Sequence, residues 1–122
     1  MKKNIENIVR HSEVSEKAIE AYLNKRVKES GWLCLKYSNA NQTGYPDRLV
    51  CLSYGSVIWV ELKSKGKKPT KLQEIRHQEL RNLDHAVWVI SSKQEVDELI
   101  EACKKWESQA GTYNDCNESL DV

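Results

Sequence analysis

Apolar and polar residues alternate along this chain in blocks whose period switches from helix-like to strand-like and back. Between residues 15 and about 29, Ile19, Leu23 and Val27 recur at four-residue steps, the spacing that lines one face of an α-helix. Ser15 can cap that helix and Gly31 closes it. Residues 32–37 (Trp-Leu-Cys-Leu-Lys-Tyr) are β-prone, whereas residues 38–44 have the composition of a loop. Two further apolar runs, 48–53 and 56–62, flank Tyr54-Gly55 and predict an antiparallel hairpin. A basic loop follows over 64–70. Thr70 and Lys71 then open a second helix, in which Leu72, Ile75, Leu80 and Leu83 are expected to point inward. Residues 86–90 read as a fourth strand, and Ser91 or Ser92 caps a last helix through about Trp106. The order α-β-β-β-α-β-α predicts an α/β fold with a mixed sheet flanked by helices.

The length of 122 residues suits one domain with a real core. The pattern divides it into a flexible N-terminus (1–12), a folded domain (13–107) and an acidic tail (108–122). At 39% hydrophobic and 30% charged residues the mixture is that of a soluble globular protein. No run approaches the ~20 apolar residues of a membrane span, and the polar start predicts no signal segment, so a cytoplasmic location without a membrane partner is expected. Cys34, Cys51, Cys103 and Cys116 are widely spaced, with no C-x-x-C pair and no nearby histidines, which argues against zinc and for a reduced compartment. Cys34 and Cys51 lie in apolar runs and read as buried thiols. The formal charge of +1 says little about a polyanionic partner; its distribution says more. From Lys63 to Arg76 six basic residues stand against Glu74 alone, whereas 108–122 has no Lys or Arg and three acids.

Chemistry concentrates at the end of the most apolar run, Val57-Ile58-Trp59-Val60-Glu61-Leu62-Lys63. Such a run belongs in a central strand covered on both faces, where a carboxylate is costly. Glu61 and Lys63 share a strand face. By themselves they could be a neighbouring salt bridge, but Gly44-Tyr45-Pro46-Asp47 places another carboxylate where the preceding strand begins. Pro46 stiffens that approach. In an antiparallel hairpin the start of one strand lies beside the end of the next, so Asp47 should lie near Glu61 and Lys63. A two-residue turn at Tyr54-Gly55 would pair Asp47 with Leu62 and turn it away. A shared site therefore requires an odd-length turn centred on Tyr54 or Gly55, or a bulge. Two carboxylates and a lysine suit metal-assisted phosphodiester hydrolysis, with hard oxygen ligands for Mg²⁺ or Mn²⁺ and a cation beside the attacking water and scissile phosphate. Lys63 could orient that water, help deprotonate it, or stabilise the phosphorane-like charge.

Pro46-Asp47 followed by Glu61-Leu62-Lys63 resembles the PD-(D/E)XK nuclease signature, here in the spacing P-D-(x)13-E-x-K. Within that superfamily the chain is similar to the VRR-NUC domain over roughly residues 13–100. The likeness rests on Gly44-Tyr45-Pro46-Asp47, on Glu61-Leu62-Lys63-Ser64-Lys65-Gly66 and on Pro69-Thr70-Lys71-Leu72-Gln73. The resemblance implies a restriction-endonuclease-like core and a DNA endonuclease dependent on Mg²⁺ or Mn²⁺, without organic cofactor. It also implies structure-selective cleavage of branched DNA such as four-way junctions, by homodimers, in proteins typically encoded by phages and bacteria. A bacterial cell or phage-infected host would be its setting. Catalytic roles then fall to Asp47, Glu61, Lys63 and Gln73, with Gln73 supporting Lys63 or a water. Metal ligation falls to Asp47, Glu61 and a helical glutamate, for which Glu16 and Glu20 both remain candidates. Lys65, Lys67, Lys68, Lys71 and His77 become candidate DNA contacts. The alternative is a non-catalytic DNA-binding module on the same fold. For a second copy, apolar residues of the first helix, Trp88 and Trp106 are candidate interface residues, although each can equally belong to the core.

Overall fold

The computed structural model describes residues 15–120, with side chains described as far as residue 111. Helix α1 (Glu16–Glu29) begins where Ser15 Oγ accepts a hydrogen bond from Ala18 N at 3.1 Å, and it buries Ile19, Leu23 and Val27 on one stripe. The chain leaves it through Gly31 at φ 82°, a left-handed conformation that glycine adopts without penalty. Strand β1 (Leu33–Lys36) pairs antiparallel with β2 (Arg48–Cys51), and β2 with β3 (Val57–Leu62). Helix α2 (Lys71–Asn82) crosses over to β4 (Val87–Ile90), which lies parallel to β3. The last helix is α3 (Lys93–Leu120). The sheet order β1-β2-β3-β4 makes β3 central, between β2 and β4, as its apolar run requires. This is the expected mixed sheet flanked by helices.

The two faces of β3 do different things. Ile58, Val60 and Leu62 join Ile19, Leu23 and Val27 of α1 and Val96, Leu99 and Ile100 of α3 in one buried cluster. Each such side chain contributes roughly 1.5–3 kcal/mol by leaving water. Tyr22 and Arg26 on α1 both bond Asp97 on α3, tying the two helices together at the rim of that cluster. The opposite face carries Trp59 and Glu61, and α2 meets Glu61 there through His77.

Three expectations change. Of the four apolar residues expected to point inward from α2 and its C-cap Leu83, only Leu80 is buried; Leu72, Ile75 and Leu83 are 43%, 50% and 73% exposed. The inner stripe instead runs Gln73, His77, Leu80, because a polar partner, Glu61, sets the rotation of the helix. The last helix does not end near Trp106. Glu107 accepts from Trp32 Nε1 at 2.7 Å and from Ser53 N at 3.3 Å. One turn later Gly111 sits where a Cβ would lie 2.7 Å from Tyr54 Oη. These contacts lie beyond the last strong apolar position of the helix and are tertiary in origin. Cys34 and Cys51 are half-buried rather than buried, whereas Cys103 is buried and its thiol is pushed up to about 11 by that burial. The flexible segment expected over residues 1–12 lies outside the described residues, as do the side chains of 112–122. Among the described residues no helix is long and apolar enough to cross a membrane.

Candidate active site

The register of the β2–β3 hairpin decides whether Asp47 and Glu61 can meet. Arg48 pairs with Val60, Leu49 with Trp59, Val50 with Ile58 and Cys51 with Val57, leaving a five-residue connection centred on Tyr54. Leu52 N closes it on Ser56 O at 2.8 Å. Tyr54 (φ 62°) and Gly55 (φ 72°) both take left-handed backbone, which lets an odd number of residues reverse the chain. This is the odd-length turn that a shared site requires. The next rung of the ladder sets Asp47 opposite Glu61, and Asp47 Oδ1 accepts from Leu62 N at 3.4 Å.

Glu61 is 4% exposed. Burial, then the Asp47 charge beside it, raises its carboxyl to about 7; Lys63 pulls the other way and Glu16 adds a smaller push upward. His77 Nε2 lies 3.3 Å from Glu61 Oε1, and the imidazole is held below its usual range by burial, Arg81 and Lys63. The main chain of Lys63 is anchored where its N–H bonds Ile90 O of β4 at 2.9 Å. The cluster thus sets the buried Glu61 carboxyl beside the half-buried Asp47, with the exposed Glu16 in electrostatic reach. A bound cation would offset that arrangement directly.

The donor set discriminates among cations. Among the described residues no three His, Cys, Asp or Glu side chains converge into a ready cage. Mg²⁺ needs none, since it is commonly held by one or two carboxylates and keeps several waters, and Mn²⁺ also favours oxygen donors. Asp47 and Glu61 fit such an ion.

The remaining candidates separate. Glu20 forms an ion pair with Arg48, a guanidinium only 4% exposed on the α1 face of the sheet, whereas Glu16 acts on Glu61. Truncating Glu20 to alanine should therefore cost roughly 1–3 kcal/mol of stability, read by urea unfolding, because it strands a buried charge. Glu16→Ala should instead leave the unfolding midpoint within experimental error and weaken Mn²⁺ binding. The reverse pattern would make Glu20 the helical ligand. Gln73 forms a capping box, its Oε1 accepting from Thr70 N at 2.9 Å and its own N donating to Thr70 Oγ1 at 3.2 Å. That places its carbonyl on the helix end rather than on Lys63. Lys65, Lys67, Lys68 and Lys71 are all exposed, around a turn at Gly66. His77, a candidate DNA contact by its sequence, is 1% exposed and faces Glu61, so it presents no surface to a phosphate.

The residues before Asp47 are held by α2. Gly44, at φ 94°, is packed so closely that a Cβ would stand 2.8 Å from Leu72 Cγ and 3.1 Å from Arg76 Cγ. Arg76 Nε donates to Thr43 O at 3.0 Å, and its guanidinium lies over the Tyr45 ring at 4.9 Å. Tyr37, Tyr45 and Trp59 pack edge-on or tilted beside it. Gly44→Ala should lower stability by about 1–3 kcal/mol in a denaturant melt, from the left-handed backbone and the clash together. An unchanged midpoint would mean that loop and helix are not locked. Sequence reasoning missed Arg48 as a buried counter-ion and His77 as a partner of Glu61. Arg48 had a signal, since it alternates with Asp47 and so must face the core; the contact across the β3–α2–β4 crossover had none. A cleft of about 370 Å³ opens at the far end of β3, between Val57, His85, Trp88, Cys103 and Trp106, away from the carboxylates.

No protein-family model matches the chain. A protein described as "Putative nuclease p44" from Acyrthosiphon pisum secondary endosymbiont phage 1 is 39% identical over 80 residues, covering 66% of this chain and 86% of that protein. A solved structure described as a VRR_NUC domain superposes with a TM-score of 0.67 at 34% identity, covering 70% of this chain and 94% of the other.

Proposed function

Because this chain belongs to the VRR-NUC family of nucleases, we propose that it is a divalent-metal-dependent endonuclease hydrolysing DNA phosphodiester bonds, with Asp47, Glu61 and Lys63 at its centre. The observation that carries this reading is the hairpin register, which sets Asp47 on the rung beside a buried Glu61, with Lys63 two residues on and its charge acting on Glu61. Asp47 and Glu61, with Glu16 as the better placed of the two helical candidates, would hold Mg²⁺ or Mn²⁺. Bound there, the ion would supply charge neutralisation and a more acidic water. Lys63 adds a fixed cation beside the scissile phosphate. Lys65, Lys67, Lys68 and Lys71, exposed in the connection that leaves the catalytic strand, track the flanking phosphates.

The preferred substrate in this reading is branched DNA such as a four-way junction, and the working form is a homodimer, since two symmetric incisions need two centres. The apolar residues of α1 are spent in the core and are not available to a second copy. Exposed Leu33, Leu35 and Val57 share one sheet face and give that copy a surface to meet.

The test is cleavage of labelled four-way junction, flap, single-stranded and plain duplex DNA with Mg²⁺ or Mn²⁺, wild type beside Lys63→Ala. Junction cutting by wild type, at least ~10²-fold slowed in the variant, is the expected result for removal of a charge that stabilises the reacting phosphate. Binding of junctions without cutting would favour a non-catalytic module, and equal cutting of every substrate would remove the branched-DNA preference.

A further inference from the structure

We propose that His77 is a positioning residue for Glu61: its Nε2–H holds Oε1 of the carboxylate and leaves the other oxygen to the cation. This rests on Glu61 being a cation-binding group, and the experiment below separates the two.

The burial pattern motivates the assignment. His77 is the most buried residue of α2, 1% exposed, on a stripe whose next member is Leu80. An imidazole at such a position is costly unless its polar atoms are matched, and an aliphatic side chain would pack there as well. The match is Glu61, 3.3 Å away, with both side chains almost wholly out of water. Glu61 has three side-chain torsions to settle. A hydrogen bond to one oxygen fixes the plane of the carboxylate before any cation arrives.

The helix that delivers His77 is pinned on both sides of it. Towards its N-terminus the Thr70–Gln73 capping box sets the first turn, and Arg76 bonds Thr43 O in the loop leading to Asp47. Towards its C-terminus Arg81 donates to Val87 O at 2.9 Å, the strand beside β3. The imidazole therefore emerges from a scaffold fixed against the loop that leads to Asp47 and against β4, the strand paired with β3, which is what holds a site to sub-ångström tolerance.

Mn²⁺ binding to the full chain, followed by calorimetry and by the spin-resonance signal of free Mn²⁺, tests this with wild type, His77→Leu, His77→Gln, His77→Asn and Glu61→Gln. Removing a hydrogen-bond partner of a liganding carboxylate typically costs ~10–100-fold in metal affinity, and His77→Leu should fall in that range. The Michaelis constant for DNA at saturating Mn²⁺ should stay put, which a general loss of structure would not allow. His77→Gln, whose amide can reach Oε1, should recover most of the affinity; His77→Asn, a carbon shorter, should not. If His77→Leu does not fold, the Gln and Asn pair decides: equal affinities overturn the proposal. Wild-type affinity in His77→Leu alongside weak binding in Glu61→Gln overturns the positioning role and leaves the site intact. Wild-type affinity in Glu61→Gln as well overturns both.

Discussion

Asp47→Asn and Glu61→Gln should each lower kcat/KM for cleavage at saturating Mn²⁺ by at least ~10³-fold, the upper range for losing one preorganised electrostatic group in a dry site. Both substitutions keep shape and remove charge. The asparagine can still accept from Leu62 N, as Asp47 does, so the β2–β3 rung survives and the variant should fold. DNA binding should be retained or slightly tighter, because a negative charge next to the phosphate has gone. Cleavage rates and junction binding measured on the same preparations check both halves. Activity within ~10-fold of wild type in either variant would be too small a loss for a cation-holding carboxylate. Cleavage that persists after chelation would remove the metal from the reading altogether.

Without metal, Glu61→Gln should make the protein more stable at pH 8, by roughly 1–3 kcal/mol. The folded carboxyl titrates at about 7, above its ordinary 4.5, chiefly because it is buried and then because Asp47 stands beside it. Between those values the folded chain keeps a proton that the unfolded chain has released. Its contribution to stability is therefore fully present below about 4.5 and is lost as pH rises through about 7. Glutamine carries no titrating proton, so the gap between variant and wild type should be near zero at pH 4.5 and widen to its full size at pH 8. His77, held below its usual range by burial, acts in the opposite sense as pH falls. Adding Mn²⁺ at pH 8 should reverse the order. An ion at 100 times its dissociation constant stabilises the state that binds it by about 2.7 kcal/mol, and the variant gains little of that. Chemical denaturation at four pH values, with and without Mn²⁺, reads all of this. A gap that does not change with pH would mean that Glu61 is solvated in the native protein.

The two effects have one cause. A carboxylate that costs stability when ionised in the empty site is one whose charge a cation can use, and β3 tolerates it because Val60 and Leu62 on the other face are fully packed. Natural sequences accept such local conflict where chemistry needs it.

Much of this was legible in the residues. Ile19, Leu23 and Val27 marked α1, Thr70 marked the start of α2, and the apolar run ending in Glu61 and Lys63 marked the central strand, because solvent exclusion imposes those periods wherever an element has one buried face. The requirement that Asp47 share a face with Glu61 narrowed the connection to an odd-length turn centred on Tyr54 or Gly55, or a bulge, and the turn centred on Tyr54 is the one that forms. The inner stripe of α2 was not legible. Leu72 and Ile75 look like core residues, but the helix is turned by a hydrogen bond between polar groups sixteen residues apart. The continuation of α3 past Trp106 depends on Glu107 meeting Trp32 and on Gly111 clearing room for Tyr54, contacts with no local pattern.

The choice between Glu16 and Glu20 divides the two kinds of information. Their spacing put both on one side of α1, which local geometry determines. Which of them pairs with Arg48, and which keeps its charge within electrostatic reach of Glu61, depends on how the helix lies across the sheet. The chain by itself thus determined its elements, their order and the hairpin, because periodicity and turn stereochemistry act over a few residues. Only the tertiary structure decided which polar groups are buried together, because hydrogen bonding and desolvation depend on neighbours that are distant in sequence.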